Sequence, residues 1–243
     1  MRRSTILALT LAAMGCENPR AEHAPGDERP AADRAAEREV MIARQIEGRD
    51  VRDPLVLEAM RAVPRHRFVP STVADRAYGD HALPIGFDQT ISQPYVVAAM
   101  TEALELDGSE RVLEVGTGSG YQAAVLAEIV EEVWSIEIVA PLAERARELL
   151  EELGIDNVRL RTGDGYRGWP EAAPFDAIVV TAAPDHVPRP LIDQLVPGGV
   201  LVLPVGDRGS QELVRLRRVG DGVERERLFF VRFVPMTGEA EDN

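Results

Sequence analysis

Apolar and polar positions change period several times along the chain, and each change marks a boundary. Behind Arg2 and Arg3, residues 6–14 form an apolar run that is too short to span a bilayer. Residues 17–39 carry almost no large apolar side chain and are rich in Ala, Pro, Asp, Glu and Arg, which predicts a disordered tether. Folded sequence is expected from about Val40. Met41, Ile42 and Ile46, then Leu55, Val56, Leu57 and Met60, predict two amphipathic helices. Asp53-Pro54 opens the second as cap and first-turn proline, and Val63-Pro64 ends it. The stretch from Phe68 to Tyr78 reads as loop and short helix. Pro94 begins a further helix through Val96, Val97, Met100 and Leu104.

From Arg111 the pattern becomes a regular alternation of short apolar runs and helical periods. Val112-Leu113-Glu114-Val115 is a strand. Ala123, Ala124, Val125, Ala127, Ile129 and Val130 make the buried side of the helix after it. Residues 133–136 form a second strand ending at Glu137, and residues 142–153 an amphipathic helix stopped by Gly154. Residues 158–160 are a third strand, ending at Gly163-Asp164-Gly165. Residues 175–181 are almost continuously apolar, which predicts a central strand covered on both faces. A short helix over 190–195 is closed by Pro197-Gly198-Gly199, and residues 200–205 are a fifth parallel strand. Residues 212–218 and 227–234 flank Gly220-Asp221-Gly222 and predict an antiparallel hairpin at the sheet edge.

Composition narrows the chemistry. The 243 residues suffice for one α/β domain, and a net charge of −14 argues against a general nucleic-acid binder. All 27 basic residues are arginines, so a Walker-type phosphate loop and a Schiff-base lysine are both excluded. The one cysteine, Cys16, leaves no intramolecular disulfide and no cysteine-rich metal site, and the four histidines show no ligand spacing, so no metal is expected.

In an open parallel sheet, ligands sit beyond the carboxyl ends of the strands. Four strand ends here carry a candidate group: the turn Gly116-Thr117-Gly118-Ser119-Gly120, Glu137, Asp164 and Thr181. Glycines let a ligand approach the backbone, and a helix opening on them offers unpaired N–H groups. A dinucleotide fingerprint would need glycine where Tyr121 stands. The pattern E-x-G-x-G-x-G instead resembles the nucleotide-side turn of S-adenosylmethionine methyltransferases. Glu137 lies where an acid would accept hydrogen bonds from two ribose hydroxyls, and Asp164 where a side chain would meet the adenine amino group. Residues 82–94 (ALPIGFDQTISQP) form a polar, glycine-containing loop that is too apolar for solvent, and it reads either as a site loop or as a structural connector.

Further residues carry a closer resemblance over about four-fifths of the chain. They include Asp53-Pro54, Val63-Pro64-Arg65 with Phe68-Val69, Leu83-Pro84-Ile85-Gly86 and Gln89-Thr90-Ile91-Ser92-Gln93-Pro94. The glycine motif from Val112 to Tyr121, Gly163-Asp164-Gly165, the run from Phe175 to Ala183, Gly198-Gly199, Leu203-Pro204-Val205-Gly206 and Val231-Arg232-Phe233-Val234-Pro235 complete the set. Together they resemble the protein-L-isoaspartate O-methyltransferase family. The resemblance implies a Rossmann-like class I methyltransferase fold: a mostly parallel seven-stranded sheet with helices on both faces. It implies S-adenosyl-L-methionine as cofactor, with S-adenosyl-L-homocysteine as product, and damaged proteins and peptides carrying L-isoaspartyl residues as substrate. It places the active-site serine at Ser92, with Gln89, Thr90 and Ile91 at the acceptor. Glu114, Gly116, Thr117, Gly118, Gly120, Glu137, Asp164, Gly165, Thr181 and Thr237 then surround the cofactor.

The expected organisation is a signal-like segment over 1–16, a tether over 17–39, one methyltransferase domain over 40–238 and an acidic tail over 239–243. Within the domain, 40–105 is a helical part carrying the acceptor loop, 106–206 the cofactor-binding sheet and 207–238 the hairpin. A monomer is expected, working in the cytoplasm where the cofactor is held; an exported lipoprotein anchored at Cys16 is the alternative. Other readings are a nicotinamide oxidoreductase, a methyltransferase for a small molecule or RNA, and a non-catalytic surface module.

Overall fold

The computed structural model describes residues 31–207 and 209–241. The signal-like segment, Cys16 and the first part of the expected tether lie outside them. Among the described residues no helix is long and apolar enough to cross a membrane.

Helix α1 (Ala31–Met41) begins inside the stretch expected as tether and runs on through a π-turn over Ile42–Ile46. Its composition is polar, but tertiary contacts hold it: Arg34 donates to the Ala74 carbonyl at 2.7 Å and Arg38 to the Tyr78 hydroxyl at 3.3 Å. Helical structure is thus already present over residues that composition assigns to the tether. Helix α2 (Pro54–Ala62) starts as expected, with the Asp53 carboxylate accepting from the Leu55 and Val56 N–H groups. Two 3-10 turns, Arg65–Phe68 and Ser71–Arg76, follow.

The stretch over 82–94, expected as a loop, is largely not one. Leu83–Gly86 (β1) and Gln89–Ile91 (β2) pair antiparallel as a hairpin separate from the main sheet. Leu83, Ile85 and Ile91 point inward, whereas Pro84 and Thr90 face outward. Helix α3 (Pro94–Ala103) leaves directly from it.

The main sheet contains β3 (Arg111–Val115), β4 (Glu132–Glu137), β5 (Val158–Thr162), β6 (Phe175–Val180), β7 (Leu195–Gly206), β8 (Gln211–Val219) and β9 (Gly222–Val231), in the order β5-β4-β3-β6-β7-β8-β9. The strands through β7 are parallel and the last two antiparallel. The apolar β6 is the middle strand, as its composition requires. Val112 of β3 faces a core that includes α3, α4 (Tyr121–Ala127) and α5 (Ala140–Glu152). Leu113 and Val115 face the opposite core, with α6 (Arg189–Asp193). Helices therefore cover both faces.

Three boundaries differ from expectation. Pro197-Gly198-Gly199 sits inside β7, as an irregularity between the pairs Phe175–Leu195 and Ala177–Val200. Strand β9 begins at Gly222 because its charged residues lie on an edge, where Glu226 pairs with Arg215 across the ladder at 2.6 Å. The acidic tail also folds in part: Glu239–Glu241 is a 3-10 turn, and Ala240 is buried in the second core.

Candidate active site

Beyond the carboxyl ends of β3, β4 and β6 lies one cleft. The expected residues Gln89, Thr90, Gly116, Gly118, Glu137, Gly165, Thr181 and Thr237 line it, together with the apolar Val115, Ile136, Ile138 and Met236. A smaller cavity adjoins it across Gly116 and Gly118 and is lined by Thr90, Ile91, Ser92, Thr117 and Thr181. The topology thus brings the hairpin and the strand ends to one place, although up to 92 positions separate Gln89 from Thr181.

The glycine turn needs its glycines. Gly116 has φ +99 and Gly118 φ +54, and a Cβ at Gly116 would collide with the Thr181 hydroxyl. That hydroxyl donates to the Gly116 carbonyl at 2.5 Å and fixes the turn to β6. Glu137 is 5% exposed, and its two carboxylate oxygens accept from Gly118 N at 2.7 Å and Val139 N at 2.8 Å. The carboxylate that would hold a ribose therefore also pins the turn that would hold the rest of a nucleoside ligand. Each oxygen keeps a second acceptor site.

Four expected cofactor residues do not line the cleft: Thr117 lines the smaller cavity, and Glu114, Gly120 and Asp164 line neither. Glu114 shares the face of Val112 by strand alternation, and so points beneath the turn rather than into the cleft. It is fully buried, and burial pushes its carboxyl up to about 8, with a contribution from the Glu137 charge. One oxygen meets Ser135 Oγ at 2.5 Å, and Ser135 meets Thr117 Oγ1 at 2.5 Å; the other oxygen, Oε1, has no side-chain partner among the described residues. Glu114 thus supports the turn through two hydroxyls. Gly120 caps α4 with φ +86, where a Cβ would crowd Ala146 of α5, so it serves helix packing. Asp164 accepts from Tyr166 N at 2.9 Å and Glu239 N at 2.8 Å, which ties the carboxylate to the C-terminal turn.

On the acceptor side, the first helical residue is Pro94, and its cap Gln93 makes no side-chain capping bond. Ser92 therefore does not cap α3. Its carbonyl accepts from Arg65 Nη2 at 2.6 Å, while Arg65 Nε donates to the Ala77 carbonyl at 2.8 Å. Arg65 is fully buried, its guanidinium carbon 4.8 Å from the Tyr121 ring centroid, and Nη1 has no hydrogen-bond acceptor among the described residues. Burial lowers it to about 10, so it stays a cation at neutral pH. This arginine joins the hairpin exit to the helix behind the glycine turn. Sequence reading marks Arg65 as part of a motif but not as a site residue; in the polar run Arg65-His66-Arg67 nothing local sets it apart, and only the fold shows that it is the buried one.

The cleft suits S-adenosylmethionine on its own terms. It offers a buried acid for a diol, a glycine turn for close approach, apolar walls for a flat ring and hydroxyls beside it. Among the described residues no group of three His, Cys, Asp or Glu side chains is placed to hold a metal ion.

Comparison with known proteins agrees with this chemistry. A family model for protein-L-isoaspartate(D-aspartate) O-methyltransferases matches residues 36–241. A protein-L-isoaspartate O-methyltransferase 1 of Rhodopseudomonas palustris is 59% identical over 207 residues, covering 84% of each chain. One from Anaeromyxobacter dehalogenans is 62% identical over 190 residues, covering 77% of this chain and 91% of that one. Among solved structures, a protein-L-isoaspartate O-methyltransferase superposes with a TM-score of 0.76 at 29% identity, covering 85% of this chain and 67% of that one. A Plasmodium falciparum structure, described as a putative protein-L-isoaspartate O-methyltransferase in complex with S-adenosyl-L-homocysteine, gives 0.72 at 25% identity, covering 83% and 98%. With nearly the whole folded chain inside the family model and relatives at well over half identity, the chain belongs to the protein-L-isoaspartate(D-aspartate) O-methyltransferase family.

Proposed function

We propose that the hairpin and the glycine turn share the work of one methyl transfer, with Ser92 and Thr90 orienting the acceptor and the strand ends holding the donor. The chain is an S-adenosylmethionine-dependent methyltransferase acting on L-isoaspartyl residues of damaged proteins. The observation that supports this division is the shared lining: Thr90, Gly116, Gly118 and Thr181 border both the cleft and the smaller cavity that Ser92 lines.

The cofactor supplies an electrophilic methyl on a sulfonium. The acceptor's free α-carboxyl has a pKa of about 3.5 and is already an anion at neutral pH. An oxygen–methyl bond forms as the sulfur–methyl bond breaks, so no proton has to move and no general base is required. What remains for the protein is alignment and exclusion of water. Thr90 and Ser92 are two residues apart in extended chain and share a face, so both hydroxyls donate to one carboxylate. Glu137 holds the ribose diol, Gly116, Gly118 and Gly165 admit the ligand to the backbone, Thr181 and Thr237 border it, and Thr117 lines the adjoining cavity. Gln89 and Ile91 complete the acceptor wall. The methyl ester then closes to a succinimide, whose hydrolysis returns some normal aspartate.

The test is Ser92→Ala. Turnover on an isoaspartyl peptide falls about ten- to a hundred-fold, the worth of a hydrogen bond to a charged group, while cofactor affinity and melting temperature stay at wild-type values. Wild-type turnover in this variant would remove the hairpin from the chemistry. Supply of the cofactor favours cytoplasmic action as a monomer; a lipid found on Cys16 by mass spectrometry, or a dimer mass in solution, would contradict this.

A further inference from the structure

We propose that Phe87, at the tip of the hairpin, seats an apolar side chain of the acceptor polypeptide next to its isoaspartyl residue. This rests on the assignment of residues 89–92 to the acceptor. Gly86 pairs with Gln89, so Phe87 and Asp88 alone make the turn, with φ +54 and +56. A two-residue turn with both central φ values positive is usually Asn-Gly or Asp-Gly, because a large side chain is strained there. Asp tolerates this region through local hydrogen bonding; Phe does not.

The strained aromatic gains only partial burial in exchange, since Phe87 is still 54% exposed. It is nevertheless held. Arg145, from α5, donates Nη2 to the Ile85 carbonyl at 2.6 Å and places its guanidinium 5.7 Å from the Phe87 ring centroid. An exposed ring kept in a costly conformation by a brace from a distant element is a contact surface more than a packing element. Its position identifies the occupant. Phe87 lies two residues before Gln89 and three before Thr90, both of which line the cleft, and the exposed Ile138 lines the same cleft. A polypeptide presenting a carboxylate to Thr90 and Ser92 must carry its neighbouring residues across this rim. An apolar neighbour would cover the ring from the open side, with the Arg145 guanidinium beneath it.

The experiment uses two isoaspartyl peptides differing only in neighbours, one flanked by leucines and one by serines. The wild-type enzyme has a kcat/KM for the leucine peptide about tenfold above that for the serine peptide, the worth of one apolar contact. Phe87→Ala removes the preference by lowering the leucine value alone, with cofactor affinity unchanged. Asp88→Gly relaxes the turn, keeps the ring and keeps the preference. Equal rates for both peptides with wild type, or an equal fall for both in Phe87→Ala, would overturn the proposal. Weakened cofactor binding in Phe87→Ala would also overturn it, marking the ring as a cover for the cofactor. Failure of the acceptor assignment itself looks different: Ser92→Ala would then turn over both peptides at the wild-type rate.

Discussion

On the proposed donor side of the reaction centre, the polar groups come from ends of parallel strands, and their carboxylates are tied to backbone N–H groups close in space. On the proposed acceptor side, Thr90 sits on a two-stranded hairpin outside the sheet and Ser92 at its exit, steadied by arginines from remote elements: Arg65 on the Ser92 carbonyl and Arg145 on the Ile85 carbonyl. The donor side is thus rigid by topology, and the acceptor side by a few long contacts. A cofactor has one shape, whereas damaged proteins have many, so it is fitting that the acceptor element is the one attached from outside.

Variants should separate the two sides. The largest effect is expected from Gly116→Ala, because φ +99 and the collision with Thr181 displace the turn itself. Strain of about 1–3 kcal/mol and a cofactor affinity weaker by more than roughly a hundred-fold should appear together in calorimetry and melting. Glu137→Ala should weaken cofactor binding by about ten- to a hundred-fold with the fold preserved. Asp164→Ala, by contrast, should lower melting temperature more than affinity, since its carboxylate holds Tyr166 N and Glu239 N. Its affinity falling as far as that of Glu137→Ala would return Asp164 to the cofactor.

Arg65→Met probes the acceptor side. The carbonyls of Ala77 and Ser92 lose their donor, at about 1–3 kcal/mol each, partly offset by removing a buried cation. Turnover should fall about tenfold with cofactor affinity held within about twofold. Equal loss of both would mean that Arg65 supports the fold as a whole.

The smallest effect concerns Glu114. Its folded value of about 8 lies above the ordinary 4.5, so the native state binds the proton more tightly than the unfolded chain. Its contribution to stability is full below pH 4.5 and is lost as pH rises through 8. Glu114→Gln cannot ionise, so its melting temperature should gain on wild type between pH 5 and 9; parallel curves would contradict the buried, protonated carboxyl.

These contrasts also explain what the sequence makes legible. Strands β3, β4 and β6, the glycine turn and the Asp53-Pro54 cap follow from residues adjacent in the chain, and they stand where the pattern puts them. Features set by distant partners do not. Helix α1 depends on bonds across 40 positions, and the Asp164 carboxylate is bonded to a residue 75 positions later. The hairpin over 83–91 hides because Phe87-Asp88 is not ordinary turn chemistry. Glu114 belongs to the motif, yet strand alternation sends it below the turn.

The central claim is methyl transfer to the isoaspartyl carboxylate through this cleft. Its most direct test offers the enzyme and labelled S-adenosylmethionine an isoaspartyl peptide beside its normal aspartyl twin. Base-labile methyl ester on the isoaspartyl peptide alone is the expected result. Equal labelling of the twins, or labelling of neither, would contradict it.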